Sequence, residues 1–176
     1  MSINTSFIGE LKHESGNTRK LLERVPLDSP SWLPHEKSMT IGRLATHIAE
    51  LPVWVARILS ADEFDFAAHT FKSHAASSQQ ELMQIFDENL NAAVESLQQA
   101  TDEDFLKIWT LRRGDTIVAQ IPKKVAIRNI TLNHIVHHRG QLTVYLRLLN
   151  VPFLVCTDQV QMKDSNYFIV FFVMAA

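Results

Sequence analysis

Three of the eight histidines in this chain crowd into one stretch, Asn133-His134-Ile135-Val136-His137-His138-Arg139-Gly140-Gln141. In a helix, His134 and His138 stand one turn apart on one face, and imidazole nitrogens at that spacing can converge on a single metal ion. His134 with His137 would also share a face, a spacing that some helical metal sites use, so periodicity leaves that choice open. Ile127, Ile130, Gln141, Tyr145 and Leu148 lie nearby on the same wheel, which points the pair at the interior. An imidazole there is costly without a hydrogen bond or a metal. On a separate segment His47 interrupts an apolar stripe of Leu44, Leu51, Trp54 and Ile58. A lone histidine on such a stripe is more often a core residue satisfied by a neighbour, but a histidine pair elsewhere in the same core shifts the balance towards metal ligation. Three neutral imidazoles facing one cavity suit Zn, Ni, Fe or Cu, and three protein ligands leave a position open for water or substrate.

Helices must position these side chains. Residues 5–24 read as a first helix, with Phe7, Leu11, Leu21, Leu22 and Val25 at three- and four-residue steps and a more polar middle at Glu14 and Thr18. Pro26, Pro30 and Pro34 forbid its continuation and make a packed loop, anchored by Trp32, down to Ser38. A second helix starts with Thr40 as N-cap and is bent just past His47 by Pro52, which removes the hydrogen bond to the Ile48 carbonyl. Residues 62–76 show no clear period and read as a connection. Ser78-Gln-Gln-Glu81 has the form of a capping box and opens a third helix whose core face is Leu82, Ile85, Phe86, Leu90, Ala93, Val94 and Leu97. Residues 108–111 and 116–121 read as two short strands around a turn at Arg112-Arg-Gly-Asp115, and residues 125–149 as a fourth helix that stops before Asn150-Val-Pro152. The expected fold class is therefore all-α: a four-helix bundle over residues 1–152 with a small β-hairpin before the last helix. Residues 153–176 form a tail and not a separate domain.

Composition narrows the function classes. A chain of 176 residues fits one domain with a sizeable core, and 17 Lys and Arg against 19 Asp and Glu provide no basic surplus for nucleic acid. The single cysteine, Cys156, excludes an intramolecular disulfide framework and fits a reducing, cytoplasmic compartment. No run reaches the roughly 18 apolar residues that span a bilayer, and the opening residues lack the basic-then-apolar order of a secretory signal. With only five glycines there is no Gly-rich phosphate loop.

The stretch from Ile130 to Pro152, and above all Asn133-His-Ile-Val-His-His-Arg-Gly-Gln-Leu142, closely resembles the last helix of DinB/YfiT-like proteins. Thr40-Ile-Gly-Arg-Leu-Ala-Thr-His-Ile-Ala-Glu50 resembles their second helix, and Ile108-Trp-Thr-Leu111 with Gly114-Asp115 the segment before the last. The resemblance covers roughly Phe7 to Pro152. It implies a homodimeric four-helix bundle with a three-histidine site for one divalent transition metal (Zn, Ni or Fe), its ligands being His47, His134 and His138, with His137 outside the coordinating set. It also implies a metal-dependent S-transferase or isomerase that uses low-molecular-weight thiols, while the open metal position by itself would equally serve a hydrolase. The chain departs from the family after Pro152. The final run from Phe168 to Met174 is apolar and β-prone, and is expected to pack against the bundle or a partner.

Other residues near the histidines have both a chemical and a plainer reading. Glu50 could orient a ligand or act as a base, with a solvated or salt-bridged role ahead of either. Gln141 could support a ligand or bond another helix, and Tyr145 could donate to a metal-bound group or be a core tyrosine with a buried partner. Gly140 suggests close approach of another helix, Arg139 an ion pair on the outer face, and Trp32, Trp54 and Trp109 core anchors. His13, His35, His69 and His74 read as surface or loop residues. No catalytic residue is identified. The leading expectation is a metalloenzyme acting on a small molecule, away from nucleic acid and membranes. A non-catalytic metal-binding or stress-response bundle comes second, and a structural bundle whose histidines satisfy one another comes third.

Overall fold

A computed structural model describes residues 2–69, 74–153, 162–163 and 166–167. Helix α1 (Ile3–Leu22) buries Phe7, Leu11, Ser15, Thr18, Leu21 and Leu22. Its polar middle is used: the Thr18 hydroxyl donates to the Glu14 carbonyl at 2.8 Å, and Arg139 reaches the same carbonyl at 3.1 Å. Arg139 also approaches the Glu14 carboxylate at 2.5 Å, with its side chain only 13% exposed. The helical pattern puts this residue on the outer face; instead it ties the last helix to α1 from within.

The proline-rich loop then docks on the start of α2 (Ile41–Glu50). Ile41 N–H donates to the Trp32 carbonyl at 2.8 Å and Gly42 N–H to the Pro30 carbonyl at 3.0 Å, satisfying helix-start donors that have no partner within the helix. The approach is tight enough that a Cβ on Gly42 would sit 2.9 Å from the Pro30 Cβ. Thr40 caps the helix, its side chain accepting from Arg43 N–H. Pro52 does more than bend the second helix: the rod breaks there into α2 and α3 (Val53–Ser60), with Leu51 and Pro52 between them.

Helix α4 (Gln79–Gln99) packs on α1, α2 and α3. Only half of the expected capping box forms. Ser78 accepts from Glu81 N–H, but the Glu81 carboxylate turns to the Ser77 N–H and hydroxyl. A short helix missed in the sequence, α5 (Asp102–Leu106), comes next, with a complete capping box between Thr101 and Asp104.

The chain is mostly helical, and the hairpin expected before the last helix is present, widened by one unexpected strand into a three-stranded sheet. β1 (Glu63–Asp65), inside a segment read as irregular, pairs parallel with β2 (Ile108–Arg113), and β2 pairs antiparallel with β3 (Thr116–Pro122). The hairpin turn uses Gly114 at φ 56°, a conformation glycine adopts without steric cost. Asp65 fastens the turn to β1 by accepting from Gly114 N–H and Ala67 N–H, each at 2.8 Å. These two bonds, the Gly114 one first, hold its carboxyl below the usual range.

The last rod runs through α6 (Lys123–Ala126), a π-helical turn (Ile127–Leu132) and α7 (Asn133–Leu148). It ends in a Schellman motif: Asn150 takes φ 55°, its N–H donates to the Arg147 carbonyl, and Val151 N–H donates to Leu146. Packing of α7 against α1 and α2 completes the core around the histidines. Two apolar clusters meet there. One gathers Leu44, Ile48, Phe86, Leu142 and Leu146, the other Phe7, Val55, Ile58, Trp109 and Leu132. No helix among the described residues is long and apolar enough to cross a membrane. A two-stranded ribbon pairs Met162–Lys163 with Asn166–Tyr167. Cys156 and the apolar run from Phe168 to Met174 lie outside the described residues, as does most of the expected tail.

Candidate metal centre

Helix α2 brings His47 and helix α7 brings His134 and His138 to one point. One ring nitrogen from each lies within 4.8 Å of the other two, so the trio could hold a metal ion. His47 Nε2 is 3.5 Å from His134 Nε2, and His134 Nε2 is 2.8 Å from His138 Nε2. Nitrogens bound tetrahedrally at about 2.05 Å to one zinc would stand about 3.3 Å apart. The first pair has nearly that separation, and the second reaches it by opening about half an ångström.

The outer nitrogens of the α7 pair decide what the inner ones can do. His134 Nδ1 is 3.3 Å from the Ile130 carbonyl, and His138 Nδ1 is 2.6 Å from Gln141 Oε1. Both partners are acceptors, so the tautomer that satisfies them places the proton of each ring on Nδ1. The Nε2 atoms then face each other across 2.8 Å with two lone pairs, a repulsive arrangement unless a cation lies between them. An extra proton is a poor candidate for that cation. Burial pushes all three histidines below the usual 6.5, and His47, further opposed by His138 and then His134, falls to about 4. A divalent ion fits this donor set.

The π-helical turn helps aim these ligands. Its wider winding, just before His134, rotates α7 relative to the path of an unbroken α-helix. Nothing in the residue pattern signals the insertion.

The other residues singled out near the histidines take less central places. His137 is exposed and touches the site only edge-on, its ring 4.9 Å from that of His138. Glu50 is held by Arg43 at 2.9 Å. The Tyr145 hydroxyl donates to the Met39 carbonyl at 3.2 Å, away from the histidines. Gly140 has open space around it, so the close helix approach expected there is not made by the described residues.

On one side the site opens into a cavity of about 500 Å³, lined in part by His47, His134, Arg43, Glu50, Trp54 and Arg57. Trp54, expected as a core anchor, forms part of this wall. The positions 47, 50, 54 and 57 recur at helical spacing across Pro52, a signal that could have identified Arg57 as a neighbour of the site. Arg43, one turn before His47 on α2, shares that spacing, whereas Phe66 and Asn89 carried no such sign.

A Bacillus subtilis (strain 168) relative described as "Uncharacterized protein YjoA" is 26% identical over 133 residues, covering 74% of this chain and 80% of the relative. The crystal structure of a DinB-like protein from Bacillus cereus ATCC 10987 superposes with a TM-score of 0.67 at 24% identity, covering 87% of this chain and 96% of the other. That of the Bacillus subtilis DinB-like protein YjoA gives 0.64 at 19% identity, covering 85% and 98%. At these identities the two structures speak for the fold alone. The DinB family model matches residues 1–163, and the chain belongs to the DinB family.

Proposed function

We propose that this protein binds one divalent transition metal, Zn, Ni or Fe, through His47, His134 and His138 in a four-helix bundle, and uses it as a metal-dependent transferase or hydrolase on a small molecule. One observation carries the reading: ring nitrogens of His47, His134 and His138 converge within 4.8 Å of one another, with His134 Nε2 and His138 Nε2 facing each other at 2.8 Å while both Nδ1 atoms lie against oxygen acceptors. The rods of the bundle are α1, α2 continued by α3, α4, and the segment ending in α7. A bound ion would supply Lewis acidity to a nucleophile entering from the cavity. The residues would fix the ion from three sides, keep the rings neutral by burial, and leave the cavity side open. A low-molecular-weight thiol is the nucleophile that the family resemblance suggests. The reducing compartment implied by a lone cysteine favours the cytoplasm.

Elemental analysis of tag-free protein, with a thiol-transfer and hydrolysis screen on the same sample, tests the proposal. The expected result is one equivalent of metal, turnover lost on chelation and restored by one ion, and loss of both in His47→Ala. Metal-free protein, or activity unaffected by His138→Ala, overturns it. A second reading, metal binding without catalysis, is favoured by Glu50: it is the single carboxylate among the described residues lining the cavity, and Arg43 already engages it.

We further propose a homodimer joined across the outer face of α7. Val136, Val144 and Leu148 are 46%, 44% and 57% exposed at helical spacing, with Gly140 open between them. A second copy would cover this stripe, and Gly140 would permit close approach of its helix.

A further inference from the structure

We propose that Asn89 selects the ligand of this site: its Oδ1 is an acceptor on the cavity wall that reads a neutral hydrogen-bond donor, a hydroxyl or an amide N–H, on the molecule that binds beside the histidines. This inference rests on the metal-binding reading and adds to it a ligand class and the residue that recognises it.

The break in the second rod sets the orientation of this side chain. Ala49 lies in the last turn of α2, where carbonyls have no partner within the helix, and its carbonyl accepts from Asn89 Nδ2 of α4 at 3.2 Å. Asn89 Nδ2 also donates to the Ile85 carbonyl, one turn back on α4, at 2.9 Å. A side-chain amide has two N–H groups, so these two carbonyls use both. The opposite flip would press Oδ1 against two carbonyl oxygens, which fixes the amide as it stands.

Oδ1 is the atom left for a ligand. It accepts no hydrogen bond from the described residues, and it is not shut away in the core. Asn89 lines the same cavity as His47 and His134, so this oxygen and the metal site share one space. A ligand with no donor at that point strips water from the oxygen and returns nothing, so a fixed acceptor discriminates strongly between molecules of similar shape.

The rest of the wall favours a neutral donor over an ammonium. Glu50 is the single carboxylate among the described residues lining the cavity, and Arg43 already pairs with it at 2.9 Å. An ammonium beside Asn89 would lose its hydration without gaining a counter-ion of its own. Trp54, Phe66 and Ile130 supply apolar surface for the carbon chain between the donor and the end of the ligand that meets the metal.

The test uses probes that share a metal-binding group and every acceptor but differ in one O–H: 4-hydroxybutanehydroxamate and 4-methoxybutanehydroxamate, with their five-carbon homologues. Each is titrated into protein loaded with Co²⁺, following the cobalt absorption bands. At one chain length or the other the hydroxyl probe should bind at least about fivefold tighter than its methyl ether, the ordinary net worth of one hydrogen bond. Asn89→Leu should cut that margin to twofold or less while leaving the ether's affinity within about threefold. Asn89→Ser, whose short hydroxyl can donate back to the Ile85 carbonyl, should do the same and covers the case in which Asn89→Leu fails to fold. Ethers that bind as tightly as the alcohols at both lengths overturn this inference and leave the metal site standing. A margin that survives substitution of Asn89 overturns it too, since another group then reads the O–H. A protein that takes up no Co²⁺, or whose cobalt bands no probe moves, overturns the metal-binding reading as well.

Discussion

Gln141 Oε1 lies 2.6 Å from His138 Nδ1, close enough to fix which nitrogen of that ring carries the proton. By accepting it, the amide commits Nε2 to the shared point between α2 and α7 and makes it a better donor to a metal. Such supporting partners are typically worth about 10–100-fold in metal affinity. Gln141 is exposed, so the fold does not depend on it. Gln141→Ala should therefore weaken metal binding by about tenfold in a chelator competition while leaving the melting temperature of metal-free protein within a degree or two. Gln141→Glu, which keeps an acceptor, should recover most of the affinity. An unchanged affinity in Gln141→Ala would show that the amide does not orient the ring.

Much of this arrangement is legible in the sequence. The four-residue step from His134 to His138 survives helix formation directly, because a regular helix turns spacing into direction. Thr40 as a cap, Gly114 in the hairpin and Asn150 at the helix end are legible for the same local reason. The hidden features depend on partners distant in sequence. β1 is three residues long and exists as a strand because β2, far along the chain, hydrogen-bonds to it. Arg139 reads as half of an outer-face ion pair whose partner is not legible, because its counterpart, Glu14, is at the other end of the chain. The π-helical turn changes register without changing composition, so no residue type announces it.

The outer face of α7 gives a prediction about assembly. If Val136, Val144 and Leu148 meet the same residues of a second copy, the protein should sediment as a dimer at micromolar concentration. A charge in such a seam is desolvated without a partner, which costs several kilocalories per mole, on the order of 2–5. Val144→Glu should shift the mass to that of a monomer while leaving helicity intact. A monomeric unaltered protein rejects this surface.

Two glycines in helices should respond to alanine in opposite directions. Gly16 on α1 is exposed with nothing near its missing Cβ, so Gly16→Ala should raise stability by about 0.5–1 kcal/mol through helix propensity alone. Gly42 has the same propensity to gain, but its Cβ would stand 2.9 Å from the Pro30 Cβ and 3.0 Å from the Pro30 carbonyl oxygen. The oxygen is backbone, and it accepts from Gly42 N–H, so the loop can yield only by giving up that bond. Gly42→Ala should cost about 1–3 kcal/mol, the usual range for overpacking. Urea denaturation of both variants checks the pair; equal effects would mean that the proline-rich loop is not seated on α2.

Acid should act on the metal-free fold and on metal binding in the same direction but in different ranges of pH. Burial first, and then the facing rings, keep His47 neutral down to about 4 in the folded chain, against 6.5 when exposed. Between those values the unfolded chain binds more protons than the folded one, so unfolding takes up protons and stability falls as pH falls. The stability is fully present above 6.5 and is lost on the way down to about 4. Chelator-treated protein should therefore melt at progressively lower temperature across that window, and His47→Gln should flatten part of the slope. Metal binding should be less sensitive at its upper end. Three ordinary imidazoles, each half protonated at about 6.5, would lose about eightfold in metal affinity relative to a pH of about 8. With all three histidines pushed below the usual value, the loss over the same interval should be smaller than that. An eightfold decline would mean that the rings are solvated like free imidazole and that the closed, neutral cluster between α2 and α7 does not persist in solution.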